Sequence, residues 1–164
     1  MNLENYSIFK GLSQAQLNKF RDVITHRDVH ENDYIIKEGD DGDSIILLLE
    51  GSVKISKPLT LSTNKGNYDD REKEMVLLSA DIFPFFGDYS LFTNNNKRTA
   101  NIQCVSNGVI GILNAEDLFK ICESDYEVGY MVIKNLAEKI TSNVVQQGND
   151  ILKLTTAISL IIEK

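Results

Sequence analysis

The chain has 164 residues, 42% of them apolar, and a formal net charge of −7 at pH 7. This length and apolar content predict one globular domain and exclude a disordered chain. The negative charge argues against a broad surface for nucleic acid or anionic lipid, so an anion would have to bind at a local site. Only two cysteines occur, Cys104 and Cys122, and no signal-peptide pattern is present, so we expect a cytoplasmic protein. No apolar run reaches the about 18 residues that a membrane span needs.

The N-terminal part predicts one helix followed by a β-rich region. Residues 13–25 place Leu17, Phe20 and Ile24 on one helical face, and Ser13 is a suitable N-cap. From about residue 28 to 113 the pattern changes to short strands between glycine and aspartate turns, which indicates a β-roll or barrel. We expect strands at 34–36, 45–49, 53–55, 74–78, 98–105 and 108–113, and a hairpin excursion over the polar residues 57–74.

The C-terminal part is predicted to be helical. Asn114 is expected to cap the helix AEDLFKIC, and a long helix is expected from about Asp125 to Ile162. The long helix carries apolar residues in alternating steps of four and three, which is a heptad pattern. We call the following nine positions the heptad seam, eight of which are apolar: Ile133, Ala137, Ile140, Val144, Gln147, Ile151, Leu154, Ile158 and Ile161.

The heptad seam has two interpretations. With Ala137, Val144, Ile151 and Ile158 at the a positions, three of the four are β-branched. Such a positions favour two parallel strands, which predicts a homodimer through residues Ile133 to Ile161. The alternative is a stripe that only covers the β-roll. The expected organisation is a β-roll with its N-terminal helix over residues 1–124 and a dimerisation helix over residues 125–164.

The stretch FGDYSLF, which begins at Phe86, has the composition of an anion-binding turn. A glycine before a short helical turn leaves backbone N–H groups unpaired, and such groups bind anions. Arg98 follows with a planar guanidinium that matches two phosphate oxygens, and Thr99 adds a hydroxyl. Asp88 can accept a hydrogen bond from a sugar hydroxyl. These residues predict a pocket for a sugar phosphate, and the alternative is a surface Arg–Asp pair between neighbouring strands.

Two motifs in this order resemble the signatures of the cyclic-nucleotide-binding domain. IIKEGDDGDSIILLLEG, residues 35–51, resembles its first signature, in which Gly39 and Gly42 are expected to serve tight turns. FGDYSL, residues 86–91, followed by RTANI, residues 98–102, resembles its phosphate-binding segment. We call residues 86–102 the cassette. Its glycine-to-arginine spacing resembles that of the Crp/Fnr family, and the similarity covers about residues 6–164.

The resemblance implies a double-stranded β-helix, or jelly-roll, flanked by helices, which binds cAMP or cGMP without a metal. By the family pattern Arg98 and Thr99 hold the cyclic phosphate, and Asp88 with the Gly87 backbone holds the ribose 2′-OH. The long helix caps the base, and Asn143 has the donor and acceptor to read a purine edge. The expected ligand-binding residues are Gly87, Asp88, Ser90, Arg98, Thr99, Ala100 and Asn143.

The chain departs from the family pattern near the expected ribose pocket. Asp88 stands where the family usually has the longer Glu, Ala80 replaces a glycine, and residues 82–85 include a three-residue insertion with Pro84. The leading hypothesis is a dimeric cyclic-nucleotide sensor. The alternatives are a ligand-free dimerisation module of the same fold, or the sensor half of a Crp/Fnr-type transcription regulator. Since no helix-turn-helix pattern follows the long helix in these 164 residues, we expect no direct DNA binding by this chain.

An enzyme on a similar fold, such as a metal-dependent cupin, is the third hypothesis. Cupin-like sites need several histidines and a carboxylate that converge inside the barrel. Only His26 and His30 occur in the chain, both before the central strands, and neither has a His-x-His partner. No Ser/His/Asp or Cys/His set can be assembled from these two histidines. We therefore predict neither a metal site nor a catalytic one.

Overall fold

The computed structural model describes residues 1–58 and 72–162. Its strands in these ranges are β1 (Thr25–Val29), β2 (Tyr34–Ile36), β3 (Ser44–Glu50), β4 (Ser52–Pro58), β5 (Glu72–Ser79), β6 (Phe85–Phe86), β7 (Asn101–Cys104) and β8 (Gly108–Asn114). The helices are α1 (Gln14–Arg21), α2 (Ala115–Ser124) and α3 (Tyr126–Ile162), with short 3-10 turns at Leu3–Asn5, Ser7–Phe9, Ala80–Ile82 and Tyr89–Phe92.

The strands form two antiparallel four-stranded sheets, in the orders β1-β8-β3-β6 and β2-β7-β4-β5. The predicted β-roll with flanking helices and a long C-terminal helix is therefore confirmed. Of the predicted hairpin excursion over residues 57–74, residues 59–71 lie outside the described part of the chain. None of the helices in the described ranges is long and apolar enough to cross a membrane.

Strand β3 is buried on both of its faces. Ile46 and Leu48 pack into the core between the sheets, whereas Ile45 and Leu47 pack against the helical layer. All four side chains are at most 4% exposed. Successive side chains of a strand point to opposite faces, so a strand buried on both faces needs a continuous apolar run. This explains why the sequence of β3 does not alternate between apolar and polar residues.

Helix α3 contacts the domain through its N-terminal half. The side-chain amide of Asn135 donates hydrogen bonds to the carbonyls of Ile8 (3.0 Å) and Lys10 (2.9 Å). From residue 144 to 162 every position is exposed. Because the helix has 37 residues, it is about 55 Å long and extends well beyond the roll. Its buried residues in the described part are Val128, Gly129, Val132, Asn135 and Leu136.

The structure corrects three local predictions, each at the end of a helix or strand. Ser13 caps α1 through a capping box with Gln16, as expected, but α1 ends at Arg21 and not at residue 25. Thr25 instead pairs with Ile112 of β8, since a β-branched residue is better placed in a sheet than in a last helical turn. Tertiary pairing therefore overrides the helical periodicity here.

The other two corrections concern α2 and β7. Asn114 occupies the N-cap position of α2, but its side chain makes no capping bond, and the N–H of Ala115 donates to the Asp43 carbonyl at 2.7 Å. Strand β7 begins at residue 101 and not at 98. The Arg98 N–H and carbonyl bond instead to the turn at residues 39–40, at 2.9 Å each. Arg98 therefore belongs to a loop that is fixed by the first motif.

Candidate functional site

Two adjoining cavities lie at the cassette. The larger has a volume of about 410 Å³, within the range of small-molecule sites, and the smaller has about 40 Å³. Cassette residues, the inserted segment 82–85, strand residues and α3 line the larger cavity. The two cavities share the lining residues Gly87, Tyr89, Thr99, Ala100 and Ile102.

All seven residues predicted to bind ligand line one or both cavities. Asp88 and Asn143 line the larger cavity, and Ser90 and Arg98 line the smaller one. Gly87, Thr99 and Ala100 line both. The fold therefore brings the six cassette residues together with Asn143 of α3, and their roles in binding remain predictions.

Arg98 is the buried cation of the cassette and is only 8% exposed. Its Nη1 donates hydrogen bonds to the Ser44 carbonyl (2.9 Å), Ser90 Oγ (3.1 Å) and the Gly87 carbonyl (3.3 Å), and its Nη2 donates to Ser44 Oγ (3.0 Å). Burial lowers the pKa of the guanidinium, and the nearby carboxylates of Asp43 and Asp40 oppose that shift. An arginine keeps its charge in proteins, so this loop holds a fixed, oriented cation.

Two glycines make room for this guanidinium. Gly87 has φ +89°, in the left-handed region, and a Cβ there would overlap Arg98 Nη1. A Cβ at Gly42 would lie 2.7 Å from Arg98 Nε and would overlap Ser90 Oγ. Gly42 does not have a positive φ, whereas Gly39 does. The turn interpretation therefore holds for Gly39, but Gly42 serves the close approach of the arginine.

Asp88 is a buried carboxylate at the other side of the site, with 2% of its surface exposed. Lys139 Nζ of α3 forms an ion pair with its Oδ2 at 3.1 Å. Apart from this lysine, Oδ2 has no polar partner among the described residues. Buried polar atoms in proteins almost always have a partner, so this oxygen is suited to accept a hydrogen bond from a ligand hydroxyl.

Lys139 is a site residue that no sequence motif indicates. Its Nζ donates to the Phe85 carbonyl (3.0 Å) and stands 3.5 Å from the centre of the Phe85 ring. Burial lowers the pKa of Lys139, and the neighbouring Asp88 carboxylate opposes this shift without cancelling it. A helical signal could have found this lysine, because Lys139 lies four residues before Asn143 and hence on the same face of α3.

Asn143 contacts the cassette directly. Its Nδ2 lies 3.0 Å from the hydroxyl of Tyr89 and donates a hydrogen bond to it. Tyr89 was not predicted as a site residue, since the family pattern leaves its position unspecified. One face of α3 thus contacts two successive cassette residues. Lys139 contacts Asp88, and Asn143 contacts Tyr89.

The chain is similar to parts of larger signalling proteins. It is 33% identical over 118 residues to cGMP-dependent protein kinase, isozyme 1, of Drosophila melanogaster, which covers 72% of this chain and 14% of the kinase. It is 24% identical over 123 residues to the cAMP-dependent protein kinase type II regulatory subunit of the same organism, which covers 73% of this chain and 28% of that protein. The chain therefore spans less than a third of the length of either relative.

Solved structures share the fold. The Thermus thermophilus catabolite activator protein has a TM-score of 0.75 at 20% identity, with 91% of this chain and 63% of that chain covered. A cyclic nucleotide-binding domain from Methylobacillus flagellatus has a TM-score of 0.72 at 19% identity, with 88% and 75% covered. The model of the cyclic nucleotide-binding domain family matches residues 26–125, more than half of the chain. With the cassette, the β-roll and this match in agreement, the chain belongs to the cyclic nucleotide-binding domain family.

Proposed function

We propose that this chain is a regulatory module that binds cAMP or cGMP between the cassette and α3. One observation carries the proposal: all seven residues predicted from the cassette and from α3 line one or both of two adjoining cavities. A buried cation, Arg98, lies at the smaller cavity, and a buried carboxylate, Asp88, lies at the larger one. A cyclic nucleotide needs a cation for its phosphate and an acceptor for its ribose hydroxyl.

In this mode the cyclic phosphate binds to Arg98, the Thr99 hydroxyl and the backbone of the turn after Gly87. Asp88 accepts the ribose 2′-OH, and Asn143 of α3 hydrogen-bonds the base. Asp88 has a shorter reach than the usual Glu, and the Lys139 ammonium of α3 lies 3.1 Å from its carboxylate. The hydroxyl of Thr99 is compatible with either purine.

A ligand-free scaffold is the second candidate function, and a specific observation favours it. Both charged groups of the site already have internal partners, since Arg98 makes four hydrogen bonds and Asp88 is paired with Lys139. A pocket whose charges are compensated within the protein needs no ligand for its stability. The two functions therefore differ only in whether a cyclic nucleotide displaces these internal contacts.

Calorimetric titration decides between the two candidates. The protein is titrated with cAMP and with cGMP, and linear 5′-AMP is the control that keeps base and ribose but lacks the cyclic phosphate. Saturable binding of a cyclic ligand, well above that of 5′-AMP, supports the sensor. If neither cyclic nucleotide binds at millimolar concentration, the sensor function is wrong and the scaffold function stands.

We further propose a parallel homodimer through the heptad seam, coupled to ligand binding. The seam lies outside the core of its own domain: Ile151, Leu154 and Ile158 are 64%, 61% and 56% exposed. The face that packs on the domain is a different one, formed by Val128 and Val132 among others. This disfavours a stripe that only covers the roll and supports an apolar seam for a second copy.

A double substitution on the seam tests this dimer. Ile151→Lys with Ile158→Lys places charge at two a positions and is expected to give monomers in sedimentation velocity. Leu152→Lys with Leu160→Lys is the matched control, because these residues are equally exposed but face away from a two-stranded seam. If dimerisation and ligand binding are coupled, the monomeric variant also binds cyclic nucleotide more weakly. Its loss of affinity equals the factor by which the ligand strengthens the dimer. A seam variant that stays dimeric contradicts the proposal.

The cellular setting and the partners are also proposals. Cys104 and Cys122 are both free and buried, which fits the reducing cytoplasm. The net charge of −7 supports a module that does not itself bind DNA. The output of the sensor is then a protein surface or domain on which α3 acts.

A further inference from the structure

Tyr89 lies where the two cavities of the site meet. Five residues line both cavities, and Tyr89 is the aromatic one among them. Its hydroxyl reaches from the cassette to α3, where it accepts a hydrogen bond of 3.0 Å from Asn143. A ligand that extends from Arg98 in the smaller cavity to Asn143 in the larger one has to pass the Tyr89 side chain.

The hydrogen bond to Tyr89 uses the group that the proposed function assigns to the base. The Asn143 amide has two N–H donors and one carbonyl acceptor, and one donor is engaged by the phenol oxygen. A base that takes the N–H engaged by the phenol has to displace the Tyr89 hydroxyl from it. The hydroxyl of Tyr89 and the base therefore compete for one side chain.

We propose that Tyr89 is an internal competitor of the ligand, which holds Asn143 and the cassette together in the free protein and sets the affinity of the site. This inference rests on the proposed function and adds a residue that determines its affinity. The free protein is held in the Tyr89–Asn143 contact, and only the fraction with this contact open can engage the base. The apparent dissociation constant is therefore higher than it would be without the phenol hydroxyl.

The test is Tyr89→Phe, which removes the hydroxyl and keeps the ring. One net hydrogen bond corresponds to about a twofold to tenfold change in an equilibrium constant, so the variant is expected to bind cAMP or cGMP tighter by that factor. Tyr130→Phe, on an exposed part of α3, is the matched control and is expected to leave the affinity unchanged. Thermal melting of each variant verifies that the domain is folded.

A double-mutant cycle tests whether Asn143 is the group for which the Tyr89 hydroxyl and the ligand compete. In an Asn143→Ala background, Tyr89→Phe is expected to have no further effect on affinity, because the contested side chain is gone. A second measurement needs no ligand: the side-chain amide resonances of Asn143 should shift between wild type and Tyr89→Phe in a nitrogen-15 spectrum. Unshifted resonances overturn the inference.

The outcomes separate this inference from the proposed function. If wild type binds no cyclic nucleotide, the sensor function fails and the competitor inference fails with it. If wild type binds and Tyr89→Phe binds equally or more weakly, only the competitor inference is overturned. If Tyr89→Phe tightens binding even without Asn143, the phenol competes for some other group and the inference is wrong as stated.

Discussion

Replacing Arg98 by alanine is the perturbation that separates the structural and the binding roles of the site. The guanidinium is 8% exposed and donates four hydrogen bonds, to Ser44, Gly87 and Ser90. It thereby connects strand β3 to the cassette. We expect Arg98→Ala to weaken cyclic-nucleotide binding and also to lower the stability of the domain.

The magnitude follows from these contacts. A hydrogen bond to a charged group typically contributes about 1.5–3 kcal/mol, but the four bonds are not additive and the desolvation of the buried cation is removed with them. We therefore expect a loss of about 2–4 kcal/mol in unfolding free energy, or about 4–15 °C in melting temperature. Loss of a buried, hydrogen-bonded partner of the ligand phosphate costs about 2–5 kcal/mol, which is a weakening of about 30-fold or more.

The assay is a pair of measurements, a thermal melt without ligand and a calorimetric titration with cyclic nucleotide. Lys97→Ala is the matched control, because Lys97 is the adjacent cation but is exposed and paired with Asp41 at 2.7 Å. A surface pair of this kind contributes less than about 1 kcal/mol, so neither readout should move much. Unchanged affinity in a folded Arg98→Ala protein refutes the phosphate anchor. An unchanged melting temperature refutes the structural role that we assign to the four hydrogen bonds.

Two further predictions concern carboxylates. In wild type, a cyclic nucleotide that lacks the ribose 2′-OH is expected to bind more weakly than the normal ligand, and Asp88→Asn is expected to reduce this loss of affinity. Asp81→Asn is a control outside the cavities. If wild type binds the 2′-deoxy analogue equally well, Asp88 does not contact the sugar. The hydrogen bond from Lys19, followed by the backbone N–H of Val128, lowers the pKa of Asp125 below its ordinary value. A lowered carboxyl pKa stabilises the fold above the ordinary pKa, and this contribution is lost as the pH falls through the folded value. The urea midpoints of wild type and Asp125→Asn should therefore differ at pH 6, and this difference should become smaller below about pH 4. A difference that is independent of pH contradicts the stabilising role assigned to the Asp125 carboxylate.

The class of fold and the order of its elements follow from the sequence because their signals are local. The turn glycines, the apolar run of β3 and the capping box at Ser13 each need only a few neighbouring residues to be recognised. The cassette is also local, since the glycine turn and Arg98 lie within twelve residues of each other. For this reason its six predicted residues were found together around the cavities, whereas Asn143 reaches them through the packing of α3.

The sequence failed at element ends where tertiary contacts decide the conformation. Residues 22–25 continue the helical periodicity of α1, but sheet pairing with β8 takes Thr25 into a strand. Likewise Arg98 resembles the first residue of a strand, but its backbone bonds to the turn at residues 39–40. In both cases partners distant in sequence outweigh a weak local preference.

The polar interior of the site was decided by the tertiary structure alone. Asn143 and Tyr89 are 54 residues apart, as are Lys139 and Phe85, whose carbonyl accepts the lysine bond. Gly42 approaches Arg98 from a separate loop. No periodicity or spacing links such residues, because their contacts depend on how α3 and the first motif pack against the cassette. The sequence by itself thus determined which groups are predicted to bind a sugar phosphate, while only the packing of the tertiary structure decided which internal partners those groups hold.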